Sequence, residues 1–233
     1  MKWCTCIIPL YNEQERVLSV LDTLSSISLI DTIIVVDDGS TDHSRQALQE
    51  YYNRHNHITF ISYPHNNGKS YAVSKWLQHI TTPYVMTFDS DLTHIDPAEI
   101  VHMIESMYAD PHIDMGILRR ISSSWYIKLL YRELVLSWQR MLKTEDLRNI
   151  FNHNHISKYQ LEVALNMYME EHHKLTLRYP FSAENIFKYQ KWWFRYGLQR
   201  DLLMFNDIFS YLGLVGFYRH IIYFRPQCAA LHK

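Results

Sequence analysis

The chain has 233 residues, 47% hydrophobic and 20% charged, with a net charge of -1. That length suits one large domain, or a domain with an appendage, and supplies enough core to stand without disulfides. Near-neutral charge argues against a nucleic-acid-binding surface, and three cysteines (Cys4, Cys6, Cys228) make neither a disulfide framework nor a CxxC pair, so a reducing, cytoplasmic setting is expected.

Taken in order, the first half alternates between two periodicities. Strand-like runs are "CTCII" (4–8), "TIIVV" (32–36), "ITFIS" (58–62), "YVMTF" (84–88) and "IDMGI" (113–117). Between them apolar residues recur at i, i+3, i+4, i+7: Val17, Val20, Leu21, Leu24; then Val73, Trp76, Leu77, Ile80; then Ile100, Met103, Ile104, Met107. Strands alternating with one-sided helices predict βαβ units and a mostly parallel α/β sheet. In the second half, 125–143 reads as a long helix and 157–173 as another, opened by Ser157 as N-cap, with Leu161, Ala164, Leu165 and Tyr168 on one face. "KLTLRYP" (174–180) reads as a short strand stopped by Pro180, and 182–224 as mostly helical and rich in aromatics. The N-terminus lacks a basic region followed by a long apolar stretch, so no signal peptide is expected. No uninterrupted apolar run reaches bilayer length; "IFSYLGLVGFY" (208–218) suits a core helix or a membrane interface.

In an open α/β sheet, ligands bind beyond the carboxyl ends of the strands. Here those ends run into "IPLYNEQERV", "VVDDGSTD", "PHNNGKSYAV" and "DSDL". Each is polar and follows an apolar run, so together they make a composite site. Asp89 and Asp91, at i and i+2, share a face if the strand continues. Two adjacent carboxylates repel unless a cation sits between them or one keeps its proton. Mn²⁺ or Mg²⁺ takes one or two carboxylates plus phosphate oxygens, which suggests a nucleoside diphosphate held through a metal. Asp38 suits a base N–H, Tyr11 a base or ribose face, and Lys69 a phosphate or sugar. "NNGKS" lacks the first glycine of a Walker loop, and GxGxxG is absent.

Those four segments, in this order and spacing, resemble the family 2 glycosyltransferases of the GT-A fold, and within them the dolichyl-phosphate and polyprenyl-phosphate sugar transferases. "PLYNE" and "DSDLTH" carry that second likeness, with "KYQLEVALNMYMEEHHKLTLRYPF" behind them. The resemblance implies a GT-A domain: 1–118 as its nucleotide-sugar half, 119–200 as its acceptor half and 201–233 as a helical C-terminal extension. It implies inverting, metal-dependent transfer from a UDP-sugar or GDP-mannose. Pro9, Tyr11, Glu13, Asp37, Asp38, Lys69, Asp89 and Ser90 would bind the nucleotide sugar, and Asp89 and Asp91 the metal, Asp91 more directly. Thr93 stands where the branch often has Gln. Arg119, Arg120, Arg132 and Arg148 would hold phosphate. "TED" (144–146) is similar to the triad of processive members, which makes Asp146 the candidate general base with Glu145 behind it; the QxxRW motif is missing, so processivity is not implied.

The acceptor that the branch implies is a polyprenyl phosphate at a membrane surface. An in-plane helix inserting Phe205, Phe209, Leu212 and Phe217, with Arg219 at lipid phosphates, would serve it; the alternative is that 202–224 covers the sheet. Transfer to a soluble saccharide or protein hydroxyl, and a non-catalytic nucleotide-sugar binder, are the other readings. A receiver domain would not need the second half, and a nucleotidyltransferase would need a Gly-rich basic loop after the first strand. The histidine-rich "FNHNHIS" and "EEHHK" read as solvated surface, and "YQKWWFRYG" (189–197) as packing.

Overall fold

A computed structural model describes residues 3–121, 137–153, 156, 157, 160–185, 206–213, 216, 224, 227 and 228. Arg132, Phe205, Phe217, Arg219, His220, the 189–197 aromatic block and most of the helix expected at 125–143 lie outside them. Five strands fall on the five apolar runs: β1 (Cys4–Leu10), β2 (Ile30–Asp38), β3 (Ile58–Tyr63), β4 (Tyr84–Thr87) and β6 (Ile113–Arg120). Four helices connect them: α1 (Val17–Ser25), α2 (Ser44–Tyr52), α3 (Lys69–Trp76) and α4 (Pro97–Ala109). The last starts where the sequence signals it, with Pro97 at N1 and the Asp96 carboxylate accepting from the Ala98 N–H at 2.9 Å.

Later come β7 (Arg140–Lys143), α5 (Thr144–His153), α6 (Leu161–Glu171), β8 (Leu175–Phe181) and β10 (Gln227–Cys228). Among the described residues one sheet runs β10-β8-β6-β7-β4-β1-β2-β3, so strands from both halves of the chain share it. All its neighbours pair parallel except β7, which runs antiparallel to β4 and to β6 and alone joins the two parallel blocks. A second, two-stranded sheet pairs β5 (Leu92–Thr93) with β9 (Glu184–Asn185).

The pleat divides the core by period two. Cys4, Cys6, Ile8 and Leu10 face one layer, with the stripes of α1 and α4; Ile7, Ile34 and Val36 face the other, with α3, α5 and α6. Each fully buried aliphatic side chain contributes about 1.5–3 kcal/mol. Cys4 and Cys6 are wholly buried, and burial pushes the Cys4 thiol up to about 12, so it is a core residue and not a nucleophile.

Three expectations are corrected. Residues 137–139 are not helical and 140–143 form β7: Met141 packs into one layer and Leu142 into the other, a period of two that the dense apolar residues disguise as a helical stripe. α6 begins at Leu161, four residues after Ser157. β8 passes through Pro180 to Phe181, because β10 reaches only Leu177 and Arg178; the missing Pro180 N–H falls where that side of the strand has no neighbour among the described residues.

Candidate active site

From β1 the chain steps outward to β2 and β3, then returns to place β4 on the other side of β1. The crevice beyond the carboxyl ends of β1 and β4 is therefore the sheet's switch point. Four polar segments meet there.

After β1, Asn12 adopts a left-handed backbone (φ 56°). Its side-chain oxygen accepts from the Thr41 N–H at 2.8 Å and its own N–H donates to the Ser40 hydroxyl at 3.0 Å, which ties the β1 end to the β2 end. The Glu13 carboxylate pairs with Arg16 at 2.7 Å.

The two aspartates of "VVDDGS" part company. Asp37, fully buried, accepts from the Ser40 N–H (2.8 Å), the Ser62 hydroxyl (2.6 Å) and Arg45 (3.2 Å), so it braces the turn. Though expected in the nucleotide-binding set, it is not among the residues that line the cleft with Asp38. Asp38 accepts from the N–H groups of Asn67 (2.9 Å) and Gly68 (2.6 Å), fixing the loop before α3. Gly39 (φ 78°) makes that approach possible: a Cβ there would meet backbone atoms of His65 and Asn66 at 2.7 and 2.8 Å.

Asp89 is the electrostatic centre. Lys69 donates to one carboxylate oxygen at 2.5 Å and the Gln139 amide to the other at 2.7 Å. Burial pushes the Asp89 carboxyl up, but the Lys69 ammonium, these hydrogen bonds and the charge of Arg120 outweigh it, and the group sits below its usual range. Burial likewise pulls Lys69 down, and Asp89, Glu162 and Asp91 more than reverse that. The ammonium also lies 4.7 Å from the Trp138 ring centroid. Behind this pair Glu162 is buried on α6, its carboxyl raised by burial against the pull of Lys69 and Arg140. Arg140, fully buried, donates to the Ser137 carbonyl at 2.5 Å, the Glu162 carbonyl at 3.4 Å and the Asn166 side chain. Burial lowers its guanidinium to about 10, so it stays charged at neutral pH.

These elements enclose a cleft of about 600 Å³. Pro9, Tyr11, Glu13 and Asp38 line one part of it, Lys69, Asp89, Ser90 and Asp91 another, and Asn206, Asp207 and Ser210 a third. Of the residues expected at the site, all but Asp37 among the nucleotide-sugar set therefore share one cavity.

The expected base does not. Thr144 opens α5 by donating from its N–H to the Pro83 carbonyl at 2.9 Å, and Lys143 pairs with Tyr84. Asp146 and Glu145 thus stand at the amino end of β4, about 13 Å of strand away from its carboxyl end. Asp146 accepts from Lys174 (3.1 Å) and Tyr168 (3.2 Å), and Glu145 is exposed. Arg148 caps the Ile80 carbonyl at 2.6 Å at the same end, so it is not a phosphate ligand of the cleft. Arg119 and Arg120 close β6, and the charge of Arg120 reaches Asp89. Thr93 donates to the Glu184 carbonyl at 3.4 Å within the small sheet.

Gln139, Trp138, Arg140, Glu162 and the 206–210 face were not anticipated. The signal for Arg140 is an arginine between apolar strand residues in "SWQRMLK". That for Glu162 is an acid in the otherwise apolar run "LEVAL" that opens α6, four residues before Asn166.

A mostly parallel sheet with acidic residues gathered round one switch-point cleft defines the GT-A-like class of α/β fold. A family model, glycosyl transferase family 2, matches residues 5–164, and the chain belongs to that family. Among solved structures, glucosyl-3-phosphoglycerate synthase from Mycobacterium tuberculosis with Mn²⁺, uridine diphosphate and phosphoglyceric acid superposes with TM-score 0.65, at 19% identity over 79% of this chain and 71% of that one. A crystal of that synthase with Mn²⁺, UDP-glucose and phosphoglyceric acid gives TM-score 0.67, at 18% identity over 90% and 79%. A Staphylococcus epidermidis poly-beta-1,6-N-acetyl-D-glucosamine synthase is 32% identical over 46% of this chain and 26% of its own length. An undecaprenyl-phosphate 4-deoxy-4-formamido-L-arabinose transferase from Sodalis glossinidius (strain morsitans) is 30% identical over 58% and 42%. The chain spans less than half the length of these two curated relatives.

Proposed function

We propose that this protein is an inverting glycosyltransferase that moves a sugar from a nucleoside diphosphate sugar to a phosphate-bearing acceptor, a polyprenyl phosphate being favoured. The observation that carries the reading is the gathering of Asp38, Lys69, Asp89 and Asp91 from three strand ends into one cleft.

Pro9, Tyr11, Glu13 and Asp38 bind the nucleoside, Asp38 through a carboxylate whose position the loop N–H groups fix. Lys69 lies beside the diphosphate. Among the described residues no three acidic, histidine or cysteine side chains gather as a metal cage. Two carboxylates completed by phosphate oxygens fit Mn²⁺ or Mg²⁺, hard ions that rarely take an all-protein site. Asp91, with Asp89 beside it, would hold that ion, which when bound offsets the charge of the leaving diphosphate.

The acceptor oxygen attacks the anomeric carbon opposite the departing diphosphate, so the C–O bond to phosphate breaks as the new one forms and the configuration inverts. A phosphate acceptor arrives as an anion and needs no base, which suits a chain whose "TED" aspartate stands at the far end of the sheet. Arg119 and Arg120, at the rim, would hold its oxygens. The name of one relative, an undecaprenyl-phosphate sugar transferase, points the same way. The likeness to the polysaccharide synthase favours a saccharide hydroxyl as the second reading. No helix among the described residues is long and apolar enough to cross a membrane.

The test incubates the protein and Mn²⁺ with a panel of UDP-sugars and GDP-mannose, with undecaprenyl phosphate in vesicles, phosphoglyceric acid or an oligosaccharide as acceptor. Released nucleoside diphosphate and the anomer of the product are measured. Chelator-sensitive release with the vesicles and an inverted linkage are expected. Retention, or full turnover in excess chelator, overturns the mechanism; turnover with the oligosaccharide alone replaces the acceptor class.

A further inference from the structure

The helical stretch 206–213 is two-sided. Ile208 is buried at 2% exposure, and Tyr211, three residues on, packs on the layer formed by α3, α5 and α6. Asn206, Asp207 and Ser210 lie at i, i+1 and i+4, a spacing that puts them on a common side of a helix, and all three line the cleft. The stretch that the sequence offers as a membrane-interface helix is therefore, over these residues, a wall of the site.

Asp207 is held in place. Gln160, buried at 8% exposure at the start of α6, donates from its amide to Asp207 at 3.0 Å, while its carbonyl oxygen accepts from the Ser157 N–H at 3.0 Å. Two residues further along α6 stands Glu162, whose charge reaches Lys69. A two-residue step at the start of α6 thus links the wall to the Lys69–Asp89 pair.

The chemistry of the three side chains is selective. A carboxylate accepts from hydroxyls, an amide both donates and accepts, and a hydroxyl does the same. The three bring no cation to the cleft, and a carboxylate repels phosphate. We propose that Asn206, Asp207 and Ser210 recognise sugar hydroxyls in the cleft, from the donor hexose or from a saccharide acceptor. This rests on the donor-site reading above.

Two variants test it: Asp207→Ala, and Asn206→Ala with Ser210→Ala, the last two being surface positions whose loss leaves the core intact. Calorimetry with Mn²⁺ compares UDP, UDP-glucose, GDP and GDP-mannose against the wild-type chain. Affinity for the accepted nucleotide sugar should fall by about tenfold in Asp207→Ala, the loss expected for a hydrogen bond to a charged group, with its nucleoside diphosphate held within about twofold. Unchanged donor binding with a comparable rise in KM for an oligosaccharide acceptor assigns the hydroxyls to the acceptor and supports the same wall. Equal losses for nucleoside diphosphate and nucleotide sugar, or no change in either binding or KM, overturn it. A wild-type chain that binds none of the four ligands refutes the donor site itself, and this reading with it.

Discussion

Asp89 and Asp91 carry equal formal charges two residues apart, yet their settings make them unlike. Asp89 is clamped between Lys69 and the Gln139 amide, a neutralised group with a fixed orientation. Asp91 faces the same cleft from the turn beyond. Asp91→Ala should therefore reduce turnover to background while the circular dichroism spectrum and melting temperature stay near wild type; substantial turnover would remove Asp91 from the metal site. Asp38 has a different job, because its carboxylate accepts from two loop N–H groups as well as lining the cleft. Asp38→Ala should weaken nucleoside diphosphate binding at least about tenfold by calorimetry, since a charged acceptor is lost. Unchanged binding would put the nucleoside elsewhere.

At the amino ends of the strands, elements are fastened by an ion network. Asp114 on β6 accepts from Lys143 on β7 (2.8 Å), from Lys174 (3.4 Å) and from the N–H of Leu175 on β8 (2.9 Å). Burial alone would raise its carboxyl; the Lys143 hydrogen bond, the Leu175 N–H and the two ammonium charges hold it below the usual range. A depressed carboxyl stabilises the fold fully above its unfolded value of about 3.9, and that contribution is lost as pH falls through the folded value. Asp114→Asn should cost about 1–3 kcal/mol in urea unfolding at pH 7. The gap to wild type should narrow as pH falls below about 3.9; a gap that holds constant or widens there contradicts the linkage. This network is also where the reading of the sequence went astray. "TED" is a short pattern, and whether Asp146 meets substrate depends on which end of the sheet α5 grows from, which the direction of β7 decides. No local periodicity reports that direction. By contrast β1 to β4, α1 and α4 were legible, because each strand is a bounded apolar run and each of these two helices a clean stripe; α2 offered no such stripe, and α3 ends at Trp76, before the Leu77 and Ile80 of the stripe expected there. Asp38, Lys69, Asp89 and Asp91 were legible through position alone, as polar residues directly after such runs. Arg140 and Glu162 were not, since the sequence shows a charge among apolar residues but not that it is buried and which partners satisfy it.

The whole molecule turns on one short strand. β7 joins the block β3-β2-β1-β4 to the block β6-β8-β10, and it comes after both β4 and β6 in the chain. During folding each block can pair parallel strands before β7 is placed, but β4 and β6 then present open edges, and exposed edges pair with other chains. Closing that seam brings together residues far apart in sequence, as when Met141 meets Met86, and non-local pairing is slow. Trp138, buried two residues before β7, is placed to report the event. Stopped-flow refolding should show a slow fluorescence phase that Trp138→Phe removes, and refolding yield should drop as protein concentration rises through that phase. If the phase survives the substitution, the seam closes early. If it is lost as expected, Gln139 takes its place against Asp89 in that same step, so the cleft would be among the last parts of the molecule to mature, and whatever binds there would act as a late folding ligand.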